Sequence, residues 1–188
     1  MSYKQSSHLL LFGFVNLLLF TTMTHAQLLD FTNPRSVDEL WVVNDGVMGG
    51  VSQSRFSYEP EGVLFEGSVS LENGGGFASM RSPILIPVGT SAINLTLRGD
   101  EKRYKLVLRT DASPRAPLYQ AEFLATREWK THRFVPGDFK ASFRGRPVDA
   151  PALVFSATKE IGILIANQQS GTFRLQLKNV QSAGDIQR

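Results

Sequence analysis

An all-β sandwich is the fold class this sequence predicts, and three observations predict it. From residue 41 onward apolar residues recur with a period of two, and no sustained helical periodicity competes with it. Gly, Pro, Asn and Asp clusters break that pattern about every eight to twelve residues, which marks off roughly nine or ten short strands. Neither an internal repeat nor a linker interrupts the run, so a single domain is expected.

The first segment is set aside as a leader. Lys4 precedes an apolar run from Leu9 to Phe20, and Thr24-His25-Ala26 offers small residues at both positions of a cleavage site before Gln27. The apolar run is short for a membrane span, which needs ~20 residues, and the runner-up reading is an uncleaved anchor. Removing residues 1–26 leaves 188 − 26 = 162 residues, one domain's length. An exported chain is therefore expected, periplasmic or secreted, with no stable membrane span after leader removal.

The strands follow in order. Leu28 to Phe31 reads as a first short strand, and Asn33 to Leu40 as one or two helical turns with Pro34 near the first position and the Ser36/Glu39 spacing of a capping box. Val63, Phe65, Gly67, Val69 and Leu71 alternate with wetter neighbours, the mark of a half-buried antiparallel strand. Pro83 and Pro87 make Ile84 to Ile86 an edge or crossing segment. Ile93 to Arg98 and Tyr104 to Arg109 alternate on either side of Gly99-Asp100 and are expected to pair as a hairpin. Tyr119 to Phe123 and Trp129 to Val135 are further strands, Ser142 to Pro151 is a connecting loop, and Ile161 to Ala166 and Thr172 to Val180 complete the set. The tail after Ser182 is expected to fray.

Composition excludes several chemistries. The leader holds one of the 20 basic residues and none of the 17 acidic ones, so the remaining balance is 19 − 17 = +2. That is too small to argue for nucleic acid, whose binders show a clustered basic face. Cysteine is absent, and of the three histidines only His132 lies beyond the leader. Cysteine nucleophiles and multi-histidine zinc sites are thereby excluded.

Two glycine clusters stand out: Trp41 to Ser54, which contains Asp45-Gly46 and Gly49-Gly50, and Asn73-Gly74-Gly75-Gly76-Phe77-Ala78-Ser79-Met80-Arg81. Their backbone amides could cradle an anion, but glycines more commonly serve tight turns or close sheet approach. Neither a P-loop nor a Rossmann fingerprint is present. Trp41 and Trp129 are weighed as sugar-stacking platforms against core packing, and core packing is preferred. Asn94, Thr96, Arg98, Lys105 and Arg109 fall on the polar phases of strands expected to be adjacent, where a solvated sheet face is preferred to a binding surface. Arg98-Gly99-Asp100 is read as a hairpin turn, and the sequon Asn94-Leu95-Thr96 lies mid-strand. Asp45, Asp100, Asp111 and Glu122 could lend oxygens to a structural calcium, although no EF-hand spacing appears. A Ser-His-Asp site would have to recruit His132, with no nucleophile elbow nearby.

Taken together, Trp41 with Asp45-Gly46-Val47-Met48-Gly49-Gly50-Val51-Ser52, then Phe65-Glu66-Gly67, Gly75-Gly76-Phe77-Ala78-Ser79 and Arg81, resemble the complex I intermediate-associated protein 30 kDa family. Further matches run through Arg98-Gly99-Asp100, Tyr104-Lys105, Tyr119-Gln120, Phe123, Trp129, Phe139, Arg144-Gly145-Arg146, Ile161-Gly162 and Gly171-Thr172-Phe173. The resemblance implies a jelly-roll β-sandwich, galactose-binding-domain-like. It also implies kinship with mitochondrial assembly chaperones of respiratory complex I. Glu101 stands where the family usually carries a second glycine after Gly99-Asp100, which puts a glycine-dependent turn in question.

The expected function is a non-enzymatic exported binding or assembly-factor-like module that recognises a protein partner or a glycan, without a cofactor. The alternative is a carbohydrate-active or other hydrolytic enzyme using acidic residues near Asp45. Complex I assembly itself would require an organelle-directed leader, and this one has no arginine. Candidate binding residues are Trp41, Asp45, Ser52, Arg81 and Arg98, and no catalytic residue or metal ligand is assigned. A contact from Arg81 to Asp45 is expected to lock the two glycine clusters together.

Overall fold

The structure is a computed structural model that describes residues 24–111, 113 and 115–184, the side chains at positions 24, 47 and 48 aside. Most of the expected leader, residues 1–23, lies outside the described residues, as does the end of the tail, residues 185–188. The described residues form thirteen strands divided between two antiparallel sheets. They are β1 (Thr24–Asp30), β2 (Trp41–Asn44), β3 (Gln53–Glu59), β4 (Gly62–Val69), β5 (Ala78–Pro83), β6 (Thr90–Gly99), β7 (Arg103–Arg109), β8 (Leu118–Leu124), β9 (Lys130–Phe134), β10 (Lys140–Phe143), β11 (Arg146–Pro147), β12 (Glu160–Ile165) and β13 (Gly171–Gly184). One sheet runs β3-β4-β13-β6-β9, with β1 also on β13; the other runs β11-β10-β8-β7-β12-β5-β2. The expected jelly-roll sandwich is thus the observed architecture. No helix among the described residues is long and apolar enough to cross a membrane.

The core lies between the sheets and is threaded by aromatic rings. Phe65 packs on Phe173 with centroids 4.9 Å apart, and the series continues through Tyr104, Phe123, Phe134, Phe139 and Phe155 at 5.9 to 6.4 Å. Each contact is an edge-on, tilted or offset pair of the kind that adds to simple area burial. Between them the inward phases of β6, β7, β12 and β13 supply Leu95, Leu97, Leu106, Leu108, Ile163, Leu175 and Leu177, all buried.

Several expectations are corrected. β6 and β7 do not form a hairpin: β6 pairs with β9 and β13, whereas β7 pairs with β8 and β12 in the other sheet. Arg98-Gly99-Asp100-Glu101 is therefore a corner between sheets. Its Asp100 carboxylate turns inward, accepting hydrogen bonds from the Arg174 amide at 2.9 Å and the Tyr104 hydroxyl at 3.0 Å. Glu101 takes φ +65 there, so the left-handed corner survives without the glycine. Asn33, not Ser36, caps the first turns, accepting from the Arg35 amide, and the segment is a 3-10 helix over Pro34–Glu39. Part of the expected loop at 142–151 is the β10–β11 hairpin, turned by Arg144 and Gly145 at positive φ.

Candidate functional site

Cross-strand register decides which residues share the outer face of the seven-stranded sheet. Trp41 stands opposite Arg81, Arg81 opposite Gly162, Gly162 opposite Val107, and Val107 opposite Gln120. Residues directly opposite in a sheet point to the same side, so this row crosses the face from β2 to β8. Lys105 and Leu164 form part of the next row. Arg109 and Glu160 form part of the row on the other side. The result is a cleft of about 360 Å³, walled by Phe77 and Phe143 and floored by Val107, Leu118 and Leu164.

The missing side chain of Gly162 shapes the floor. A Cβ there would lie 2.7 Å from the Met80 carbonyl oxygen and 3.0 Å from Cγ of Arg81, so glycine lets the arginine stem lie flat across the sheet. Arg81 then donates to Glu160 at 3.0 Å, and Arg109 approaches the same carboxylate oxygen at 3.7 Å. Burial pulls the Arg81 pKa down; Glu160 opposes that and Arg109 adds to it, leaving a net decrease. Burial likewise lowers that of Lys105, against the pull of Glu122. Lys105 donates to the Asn167 side chain at 2.9 Å.

The expected lock between Arg81 and Asp45 does not form, because Arg81 turns to Glu160 on the exposed face while Asp45 is fully buried. The two glycine clusters are joined by backbone instead. One Asp45 oxygen accepts from the Ser52 amide at 3.0 Å; the other accepts from the Ser52 hydroxyl at 2.5 Å, the Gly76 amide at 2.6 Å and the Phe77 amide at 3.2 Å. Burial alone would raise the Asp45 pKa, but these four donors more than offset it and hold the carboxyl below its ordinary value. Ser52 also accepts from the Ser70 amide at 3.0 Å. One carboxylate thus ties the ends of β2 and β4 to the starts of β3 and β5, bolting the two sheets together along one edge.

That packing explains the glycines. A Cβ on Gly50 would sit 2.4 Å from the Asp45 carboxyl carbon, and one on Gly75 would sit 2.6 Å from a carboxylate oxygen. With its oxygens occupied and no exposure, Asp45 presents no lone pair to a substrate, and its Phe77 contact fixes one wall of the cleft.

Of the five candidate binding residues, then, Trp41 and Arg81 are neighbours on the cleft face, while Asp45 and Ser52 form the buried bolt. Arg98 is elsewhere, on the other sheet, lying over the Trp129 ring at 4.7 Å and donating to Gln176 and Glu61. Neither tryptophan is a core residue: Trp41 keeps 38% of its surface and Trp129 carries cations on its face. The polar set Asn94, Thr96, Arg98, Lys105 and Arg109 is split, the first three on β6 and the last two on β7 in the opposite sheet. His132 packs against Phe123 and Phe134, with its pKa lowered by burial and then by Lys130. Among the described residues no group of acidic and histidine side chains clusters as a metal site. Nothing in the sequence alone singles out Phe77, Phe143 and Gln120 as cleft residues, because it does not record which strands lie side by side.

With the fold and cleft defined, comparison with known proteins places the chain. The family model described as complex I intermediate-associated protein 30 matches residues 29–177. The chain belongs to that family. A search of curated protein sequences finds no significant match. Solved structures share the fold. The family 11 carbohydrate-binding module of a cellulosomal cellulase of Clostridium thermocellum superposes with a TM-score of 0.61 at 14% identity, covering 89% of this chain and 99% of the module. The family 11 module from Clostridium thermocellum in complex with a β-1,3-1,4-mixed-linked tetrasaccharide gives 0.59 at 14% identity, covering 86% and 97%. An agarase gives 0.54 at 12% identity over 87% of this chain and 25% of the enzyme. At these identities the likeness establishes the fold alone.

Proposed function

We propose that this member of the family is a non-catalytic binding module that takes a saccharide chain on the outer face of the seven-stranded sheet. The observation that carries the reading is the cleft itself. It spans β5, β12, β7, β8 and β10, about 19 Å at the usual strand spacing, and joins an apolar floor to half-buried aromatic walls and polar arms. Apolar surface suits the C–H faces of sugar rings, aromatic rings provide large contact area, and Gln120, Lys105 and Asn167 can meet hydroxyls. The tetrasaccharide-bound neighbour with the same fold is consistent with the reading. Non-catalytic character is supported by Glu160, which is engaged by two guanidiniums and so is poorly suited to proton transfer.

The test is affinity electrophoresis of the purified protein through gels containing a panel of neutral and acidic polysaccharides. Retardation by at least one, lessened about tenfold in affinity by Phe77→Ala or Phe143→Ala with the fold intact, is expected (~1.4 kcal/mol). Retardation by none overturns the reading. A second reading, a protein partner, follows from the family's description. It is supported by the edge strand β2, which among the described residues pairs only with β5 and leaves Trp41 exposed. That reading makes Trp41 the required residue and leaves Phe143 dispensable.

A further inference from the structure

Resting on the saccharide reading, the geometry points to an acidic saccharide, one bearing carboxylate or sulfate groups, as the occupant of the cleft. The charges of the two outer faces differ in kind. On the six-stranded sheet three arginines have carboxylate partners, Arg55 with Glu66, Arg98 with Glu61 and Arg174 with Glu59 and Glu66, and exposed Arg133 is without one among the described residues. The cleft is not compensated in this way. Arg81, Lys105, Arg109 and Arg144 line it, no acidic residue does, and Glu160 is the only carboxylate within ion-pair distance of any of the four among the described residues. Four cations against one carboxylate leave the lining in positive excess, since Glu122, opposite Lys105 in the register, is already paired with Arg103.

These cations are placed rather than scattered. The Arg81 and Arg109 side chains retain only 13% and 15% of their surface, so both guanidiniums are held in position at the cleft wall before any ligand arrives. Arg109 has a buried Nε with no hydrogen-bond partner; its 3.7 Å approach to Glu160 is too long for one. An unmet buried donor beside a second guanidinium is costly in the empty protein and is relieved by an anion. Burial of Arg81, partly countered by Glu160 and aggravated by Arg109, acts in the same sense. The apolar floor of Val107, Leu118 and Leu164 distinguishes an acidic sugar from a bare anion, since it gives a ring face something to lie on.

The experiment compares the full mature chain in affinity gels and calorimetry with alginate, polygalacturonate and a sulfated carrageenan. Mixed-linkage β-glucan and laminarin are the neutral probes, and polyglutamate is a polyanion without sugar. Binding to at least one acidic polysaccharide, weakening severalfold as salt rises, is the expected result. Arg109→Gln and the better-exposed Lys105→Gln should each reduce affinity by about fivefold, with melting curves showing that both variants fold. Tight binding to neutral polymers alone, indifferent to salt, overturns the acidic assignment and leaves the saccharide reading standing. Binding to no polysaccharide overturns both. Equal retention by polyglutamate overturns the assignment as simple ion exchange.

Discussion

Asp45 has four donors on two oxygens and no exposure to water, so its charge belongs to the fold. Asp45→Asn turns an amide N–H toward backbone donors that need an acceptor, and should cost about 3 kcal/mol, since bonds to a charged acceptor are worth about 1.5–3 kcal/mol each. The melting temperature should fall by roughly 6–12 °C at about 2–4 °C per kcal/mol, which thermal denaturation would measure. Its pH dependence has a definite sign. The folded-state pKa lies below the unfolded value, so the stabilisation is complete above about pH 4 and is lost as pH falls further, through the folded pKa. Melting curves of the wild type should therefore steepen their decline below about pH 4, and those of Asp45→Asn should decline less over the same window. Gly75→Ala tests the same packing from the other side. A methyl group 2.6 Å from the carboxylate must displace it, and a loss of about 2–3 kcal/mol is expected in chemical denaturation.

Elements meet at corners in this fold, and the β6–β7 corner carries a residue in an unfavourable conformation. Glu101 holds φ +65, a left-handed conformation that costs an ordinary residue about 1–2 kcal/mol. Glycine escapes that cost but loses more chain entropy on folding, about 0.5–1 kcal/mol. Glu101→Gly should therefore stabilise by about 0.5–1 kcal/mol, because the Arg127 ion pair it gives up is exposed and contributes little. A rise in melting temperature of roughly 1–4 °C would register it; a fall would show that the ion pair dominates the corner. The corner also shows why a hairpin was the wrong inference. Ile93 to Arg98 and Tyr104 to Arg109 alternate in the same way whether they pair with each other or face each other across a core, and the intervening Gly99-Asp100 suits either path.

For the whole molecule, the chain's passage between sheets gives the N-terminus a structural part. β1 pairs with β13 from Thr24↔Gly184 to Asp30↔Asn179, and Leu28 and Leu29 pack on the core. A chain beginning at Gln27, where the expected leader cleavage would leave it, keeps four of the seven β1 residues and both leucines. It should melt within about 2–3 °C of one beginning at Thr24. A chain beginning at Phe31 loses the strand and both apolar contacts, and should lose about 2–4 kcal/mol. Comparing the three by calorimetry separates a dispensable extension from a required strand.

Period-two alternation from residue 41 onward determined the fold class, since a half-buried strand must alternate whichever partner it takes. The ordered motifs determined the family, and the glycine clusters correctly marked where the backbone is crowded. Partnership was decided only in three dimensions. Read along the chain, Arg81 has the Asp45 carboxylate as its expected partner, and the sheet register gave it Glu160 79 residues away. Lys105 and Arg109 share a polar phase with Asn94 along the chain, but the corner sends β7 to the other sheet. The cleft exists because strands as far apart in sequence as β5, β7 and β12 lie side by side, and strand order is set by long-range burial that no local pattern records.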